Sequence, residues 1–302
     1  MGYNISALPN YTDQQSRVFV TKSILEADTI KLLTDAGSFD PTAKGNQAIQ
    51  LLDTDVYFQD GTACGRNALG GANFSQATLS VKDLKVNQNY CVRDLEKTYA
   101  VEDLKAKMKG QVYTDMLFLE DIGNLNATKT SYALEQLIWQ GDTTITGTTN
   151  LNMADGLLKS IKGGSYINLS AVTSGSSVTA KLQGVFAGMP IEVSSKPDFK
   201  ILIGKDTWNA YQAEIAAKNL FNPNDPKTLW GTDAKLEVVN GLNGTNYVVA
   251  CRLRNLQAGG EMTNVSFQKH YSFETEQVYL DSRFSLGVVA VYPQEIGLVK
   301  IA

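Results

Sequence analysis

Few residues in this chain could do chemistry. His270 is the only histidine in 302 residues, and cysteine occurs three times, at Cys64, Cys91 and Cys251. A single histidine excludes a metal site built on histidines and any mechanism that passes a proton between two imidazoles. A Cys–His or Ser–His pair through His270 is formally open. The run SFQKHYSFET around it, however, alternates as a surface strand does. The cysteines are odd in number and widely spaced, with no Cys-x-x-Cys. That argues against a disulfide framework or a zinc ribbon and for reduced thiols. ILIGKDT puts Gly204-Lys205 where a phosphate loop would end, but the first glycine is missing and Asp206 stands in the hydroxyl position. Asp53 and Asp55 begin like a calcium loop, which then lacks the glycine at its sixth position and has Cys64 at its twelfth. Glu120 and Asp121 are adjacent on a predicted helix, and helical neighbours do not converge on one substrate. The expectation is a non-enzyme with no catalytic residue, no metal and no cofactor.

The elements around these residues are those of an α+β protein. Hydrophobic residues make up 43% of the chain and charged residues 19%, below the usual ~25%, as expected if some surface faces protein rather than water. The net charge of −4 leaves no basic footprint for nucleic acid. No apolar run approaches the ~18 residues of a membrane span. TKSILEADTIKLLTDAG predicts a helix stopped by Gly37. Residues 54–93 combine an Asp60-Gly61 turn, a cluster of glycines and the alternating ATLSVKDLKV, which predicts an extended hairpin. A lone hairpin is marginal in water, so this one needs something to rest on. DLEKTYAVEDLKAKMKG predicts a helix. Tyr113 to Trp139 predicts one long helix, near 40 Å at ~1.5 Å per residue, with two helices broken near Gly123 as the alternative.

Beyond Gly156 the pattern alternates helix and strand. SVTAKLQGVFAG places Val178, Leu182, Val185 and Phe186 on one helical face behind a serine cap. FKILIG is a buried strand. DTWNAYQAEIAAKN is a helix with Asp206 expected at its N-cap. KLEVV, NYVVACRLRNL, QVYL, LGVVAVYP and IGLVKIA are strands.

The joint LIWQGDTTITGTTNLNMADGLLKSI, Leu137 to Ile161, carries a resemblance. A long helix ending in an aromatic, then Gly-Asp, a Gly/Thr loop and a restart of the type DGLL, resembles the major capsid proteins of tailed bacteriophages, which have the Hong Kong 97-type fold. VVACRLRNLQAGGEM and VYLDSRFSLGVVAVYPQEIGLVKIA resemble that family's closing strands. The resemblance spans roughly residues 113–302; over residues 1–112 it rests on the order of elements.

It implies an N-terminal arm and leading helix (1–53), an extended hairpin loop (54–93), a peripheral domain with a spine helix (94–155, with a return strand about 265–285) and an axial domain (156–264, completed by 286–302). It implies a structural subunit of an icosahedral virion shell, assembled in the host cytoplasm as hexamers and pentamers of itself. The shell would enclose DNA without binding it specifically, with a portal and a separate scaffolding protein as partners and no membrane. An encapsulin-type compartment shell is the alternative of the same fold, and a phage tail or surface-binding protein the alternative of another class. No cross-linking motif of the family is recognisable. Two sets of residues are expected to matter. Trp139, Gly141 and Asp142 form a structural joint, where Trp139 anchors the helix end and Gly141 supplies a left-handed stop. Val56, Tyr57, Phe58, Arg66 and Phe74 form an inter-subunit hairpin.

Overall fold

The computed structural model describes residues 27–54, 56–58, 70–91, 99–101, 104–105, 107–108, 115–147, 149–171, 177–220, 227–261, 266–272, 274–275 and 277–301. Helix α1 (Asp28–Asp35) buries Thr29, Ile30 and Leu33 and ends where Gly37 turns left-handed at φ 69°. β1 is Phe39–Asp40. β2 (Asn46–Thr54) and β3 (Ala72–Ser80) pair antiparallel with Thr54 opposite Ala72. β4 (Lys82–Cys91) follows at once. The hairpin thus differs from the expected 54–93. It begins eight residues earlier, at Asn46, and its return strand stops at Ser80. Lys82–Cys91 belong to another sheet, because Leu84 and Val86 pack into the main core and pull the chain away from the arm.

α2 runs unbroken over Asp115–Gln140, so Gly123 lies inside a single helix. α3 (Leu157–Gly163), β5 (Ile167–Asn168), α4 (Val178–Ala187), α5 (Ile191–Ser194), β6 (Phe199–Ile203), α6 (Lys205–Ala217), β7 (Lys235–Val238), β8 (Tyr247–Arg252), β9 (Leu256–Gly259), β10 (Ser266–Ser272), β11 (Gln277–Ala290) and β12 (Gly297–Lys300) complete the order. Ser177 caps α4, its hydroxyl accepting from Ala180 N. α6 departs from expectation at its start: Gly204 holds the cap position, and Asp206 instead accepts from the amide of Gly244 at 2.6 Å.

Two sheets organise the molecule. One has the order β5-β12-β8-β6-β7. Because side chains alternate along a strand, each of its central strands feeds two cores. Leu202, Val249, Cys251 and Leu298 face the cluster that contains Ile138 and Trp139. Ile201, Ile203, Val248, Ala250 and Val299 face α4 and α6, through Leu182, Val185 and Tyr211. A sheet covered on both faces needs strands that are apolar throughout, which is why KILI and VVAC carry no polar alternation.

The other sheet is built on β11. Gln277–Leu286 pair antiparallel with Cys91–Lys82 of β4, Gln277–Arg283 with β10, and Gly287–Ala290 with β9. β9 in turn pairs parallel with β1. QVYL and the first five residues of LGVVAVYP are therefore parts of one 14-residue strand, which ends at Ala290. The base of the β2–β3 hairpin rests on this sheet: Ala43, Leu79 and Val81 pack with Val289 and Val291.

Candidate functional site

The end of α2 is where the elements converge. Trp139 has no exposed surface. Its indole Nε1 donates to the Thr29 hydroxyl at 2.6 Å, tying α2 to α1. Against it lies Gly241, in the short 3-10 turn Asn240–Leu242 that follows β7. A Cβ at Gly241 would collide with the indole and with the carbonyl of Glu135. Gln140 Nε2 closes the contact by donating to Gly241 O at 2.6 Å.

Gly141 and Gly156 form the next layer. Gly141 is the first residue after α2, but its φ is not positive, so it is no left-handed stop. It must be glycine for another reason. A Cβ there would strike the carbonyls of Ala154 and Leu137, and one at Gly156 would strike Gly141 N and the Ile138 and Trp139 carbonyls. The two glycines press backbone on backbone, with Gly156 N donating to Gly141 O at 2.8 Å. Crowding, not conformation, fixes the residue type.

The flanking aspartates complete a mirrored pattern, Gly141-Asp142 and Asp155-Gly156. Asp142 Oδ1 accepts from the Thr144 amide at 2.9 Å and hydroxyl at 2.7 Å, an Asx-type turn that satisfies the loop backbone. Asp155 Oδ1 does the same for Thr143, at 2.8 Å from amide and hydroxyl. Lys159 of α3 lies 2.7 Å from both carboxylates. The Lys159 contact, with the Thr144 bonds, holds the Asp142 carboxyl well below the usual range. The cluster is solvent-facing, and its work is to keep the 142–155 loop folded onto α3.

The hairpin residues lie elsewhere. Val56, Tyr57, Phe58 and Phe74 are all exposed, Phe58 fully and Phe74 at 81%; Arg66 falls outside the described residues. The structure does not bring them to the joint. Leu52 joins them as an exposed apolar residue on the same arm. It lies directly opposite Phe74 in the register, a pairing that sequence alternation alone did not disclose.

Two residues of the joint were missed by sequence reasoning, Glu135 and Gly241. Glu135 lies four residues before Trp139, on the same helical face, and that spacing was the available signal. Gly241 is contacted only through the tertiary fold.

The cysteines divide by environment. Cys251 is buried in β8, and burial, with a smaller effect of Asp198, pushes its thiol up to about 12. Cys91 is exposed at the end of β4, and Cys64 lies outside the described residues. Because the thiolate is the nucleophile, iodoacetamide should alkylate Cys91 in the folded protein and Cys251 only on unfolding. Peptide mass spectrometry checks this, and equal native labelling of the two would contradict it. Among the described residues no cluster of three or more His, Cys, Asp or Glu is placed to hold a metal, and no helix is long and apolar enough to cross a membrane.

No protein-family model and no curated protein matches the chain. Solved structures do. The satellite phage P4 procapsid, which includes the size determination (Sid) protein, matches at TM-score 0.60 and 11% identity, over 94% of this chain and 98% of its own. The capsid of an empty GTA particle matches at TM-score 0.61 and 14% identity, over 89% of each chain. A virus-like particle from Pyrococcus furiosus matches at TM-score 0.54 and 12% identity, over 95% and 98%. At such low identity the likeness is one of fold, and it spans nearly the whole chain: the mixed helix and sheet arrangement is the Hong Kong 97-type fold of phage capsid subunits.

Proposed function

We propose that this chain is a structural subunit that assembles with copies of itself into the closed icosahedral shell of a tailed bacteriophage. The observation that carries the reading is overlap with capsid subunits along nearly their whole length, 94% of this chain and 98% of the P4 procapsid chain. The exposed arm supports it. Leu52 and Phe74 on the two-stranded ribbon, with Val56, Tyr57 and Phe58 just beyond its paired part, expose large apolar side chains, and among the described residues the buried contacts of the arm lie at its base. Surface of that kind marks a contact with another protein, and in a homo-assembly the partner is a neighbouring copy.

On this reading α2 is the spine helix of the peripheral domain, the sheet β5-β12-β8-β6-β7 is the centre of the axial domain, and the Trp139 joint fixes the angle between them. The subunits form hexamers and pentamers in the host cytoplasm, with a separate scaffolding protein and a portal, and the shell encloses DNA. The net charge of −4 suits a container that holds nucleic acid without condensing it. The role is structural rather than catalytic. Phage and GTA capsids among the matching structures favour the virion over an encapsulin-type compartment, and the near-complete overlap with shell subunits disfavours a tail protein.

Electron microscopy of the purified full-length protein tests the proposal. The expected result is closed shells or capsomer rings, alone or after co-expression with the products of neighbouring genes. A chain that stays monomeric under both conditions would overturn it.

A further inference from the structure

Glu135 sits one helical turn before Trp139 on α2, with only 2% of its surface exposed. Its carboxyl reaches across to a different element. Oε1 accepts from the Thr29 hydroxyl at 2.5 Å and Oε2 from the Thr29 amide at 3.1 Å, and the nearby backbone of Gly241 also favours the charged carboxyl. α1 has Ala27 at its cap position and no side-chain cap of its own. The first amides of a helix need acceptors, so α1 is capped by a residue 106 positions away.

The charged groups around Glu135 do not neutralise it. From α1 it meets Asp28, whose negative charge opposes ionisation; Lys31 and Asp35 are on the exposed side of that helix. The Asn240–Leu242 turn and β9 carry no titratable side chain. From α3, Lys159 is held by Asp142 and Asp155, and Lys162 stands over the Tyr247 ring. On α2 itself Lys129 lines a separate groove together with Lys85 of β4. None of these cations bonds Glu135. A carboxyl taken out of water without a cation holds its proton more tightly. Burial is the larger cause and Asp28 adds to it; the hydrogen bonds oppose them, and the net displacement is upward from the ordinary 4.5. The Thr29 hydroxyl accepts from Trp139 Nε1 and donates to Oε1, so it is one of the bonds that oppose the upward displacement.

We propose that Glu135 is a proton-operated latch between α1 and the end of α2: α1 seats fully when the carboxyl is protonated and loosens when it ionises. The sign follows from linkage. Seated, Glu135 binds its proton more tightly than it does when α1 has lifted and the side chain is in water. The extra stability of the seated state is therefore complete below about 4.5, is lost as pH rises through the raised value, and is constant above it. Each unit of difference is about a tenfold change in the seating equilibrium. The latch is a property of the single chain and stands whether or not the chain builds a shell.

Hydrogen exchange of the full-length protein across the acid-to-neutral range tests it, with rates divided by the intrinsic exchange rate at each pH and residues Phe199–Ile203 as internal reference. Protection of Asp28–Asp35 relative to that strand should fall several-fold as pH rises. Glu135→Gln should abolish the fall, and Asp28→Asn should move its midpoint to lower pH. A wild-type ratio that is flat or rises with pH, or a fall that Glu135→Gln retains, would overturn the proposal. Should Glu135→Gln not fold, Asp28→Asn decides, and an unmoved midpoint is then the overturning result.

Discussion

Replacing Trp139 with alanine should lower the unfolding free energy by about 3–5 kcal/mol, the usual cost of deleting a fully buried indole. The reason is specific to this joint. The indole is wholly buried and lies on Gly241, where even a methyl group would not fit, so the space it leaves cannot be filled by a small shift of that turn. Its Nε1 also donates to Thr29, and the truncation takes that donor away from a buried hydroxyl. Trp139→Phe separates the two contributions. It keeps most of the packing and loses the N–H, and should cost on the order of 1–2 kcal/mol for the hydrogen bond plus the smaller ring. Urea unfolding of the three proteins measures both. An alanine variant with an unchanged midpoint would mean that α1, α2 and the Asn240–Leu242 turn are not held through this side chain.

The second large effect concerns the arm and is one of kind rather than degree. Joining Leu51 to Ser75 through Asn-Gly shortens the hairpin at a register pair with a turn suited to two-residue connections. It removes Leu52, Val56, Tyr57, Phe58, Arg66 and Phe74 together. The described apolar residues among them are all exposed, and the residues that anchor the arm, Ala43, Leu79 and Val81, are kept. The protein should therefore melt at the wild-type temperature and, on the proposed function, fail to form closed shells. Calorimetry and electron microscopy read the two outcomes separately. Normal shells would show that assembly uses other surfaces, whereas an unfolded subunit would show that the outer hairpin supports the core.

Much of this architecture is written in local patterns. The Val178–Phe186 face, the serine cap before it, and the apolar runs of β6 and β8 follow from periodicity, because burial on one or both faces dictates residue type along the element. The long helix was legible for the same reason at its two ends. β11 shows where such reading fails. Val278, Leu280, Ser282, Phe284 and Leu286 are all buried in strict alternation, but the intervening Asp281, Arg283 and Ser285 make the segment resemble a turn between two strands. The mirrored glycines of the joint were legible as residue types and not as a mechanism. Only the packing of two backbones shows that crowding rather than a left-handed turn demands them. Glu135 was hidden most completely, because a glutamate on a helix is ordinarily a solvent-facing residue, and what buries this one comes from α1 and from a turn about a hundred residues further along the chain.

The placement of β11 and β12 bears on how the chain comes to be folded at all. β4 waits for residues 277–286 before its partner exists, β9 for residues 287–290, and β5 and β8 for residues 297–300. Both sheets thus receive a central strand from the same late stretch of synthesis. Pairings so distant in sequence are slow to form, since the intervening chain must be brought together first. While the ribosome is still short of residue 277, both partners of the β1–β9, β2–β3, β6–β7 and β6–β8 pairs have been made, but neither sheet can be completed. If the chain is a shell subunit, as proposed, the nascent form cannot present its finished geometry to a neighbour, and a product broken off before residue 277 is left with unpaired strand edges rather than with a defective but assembly-ready shape.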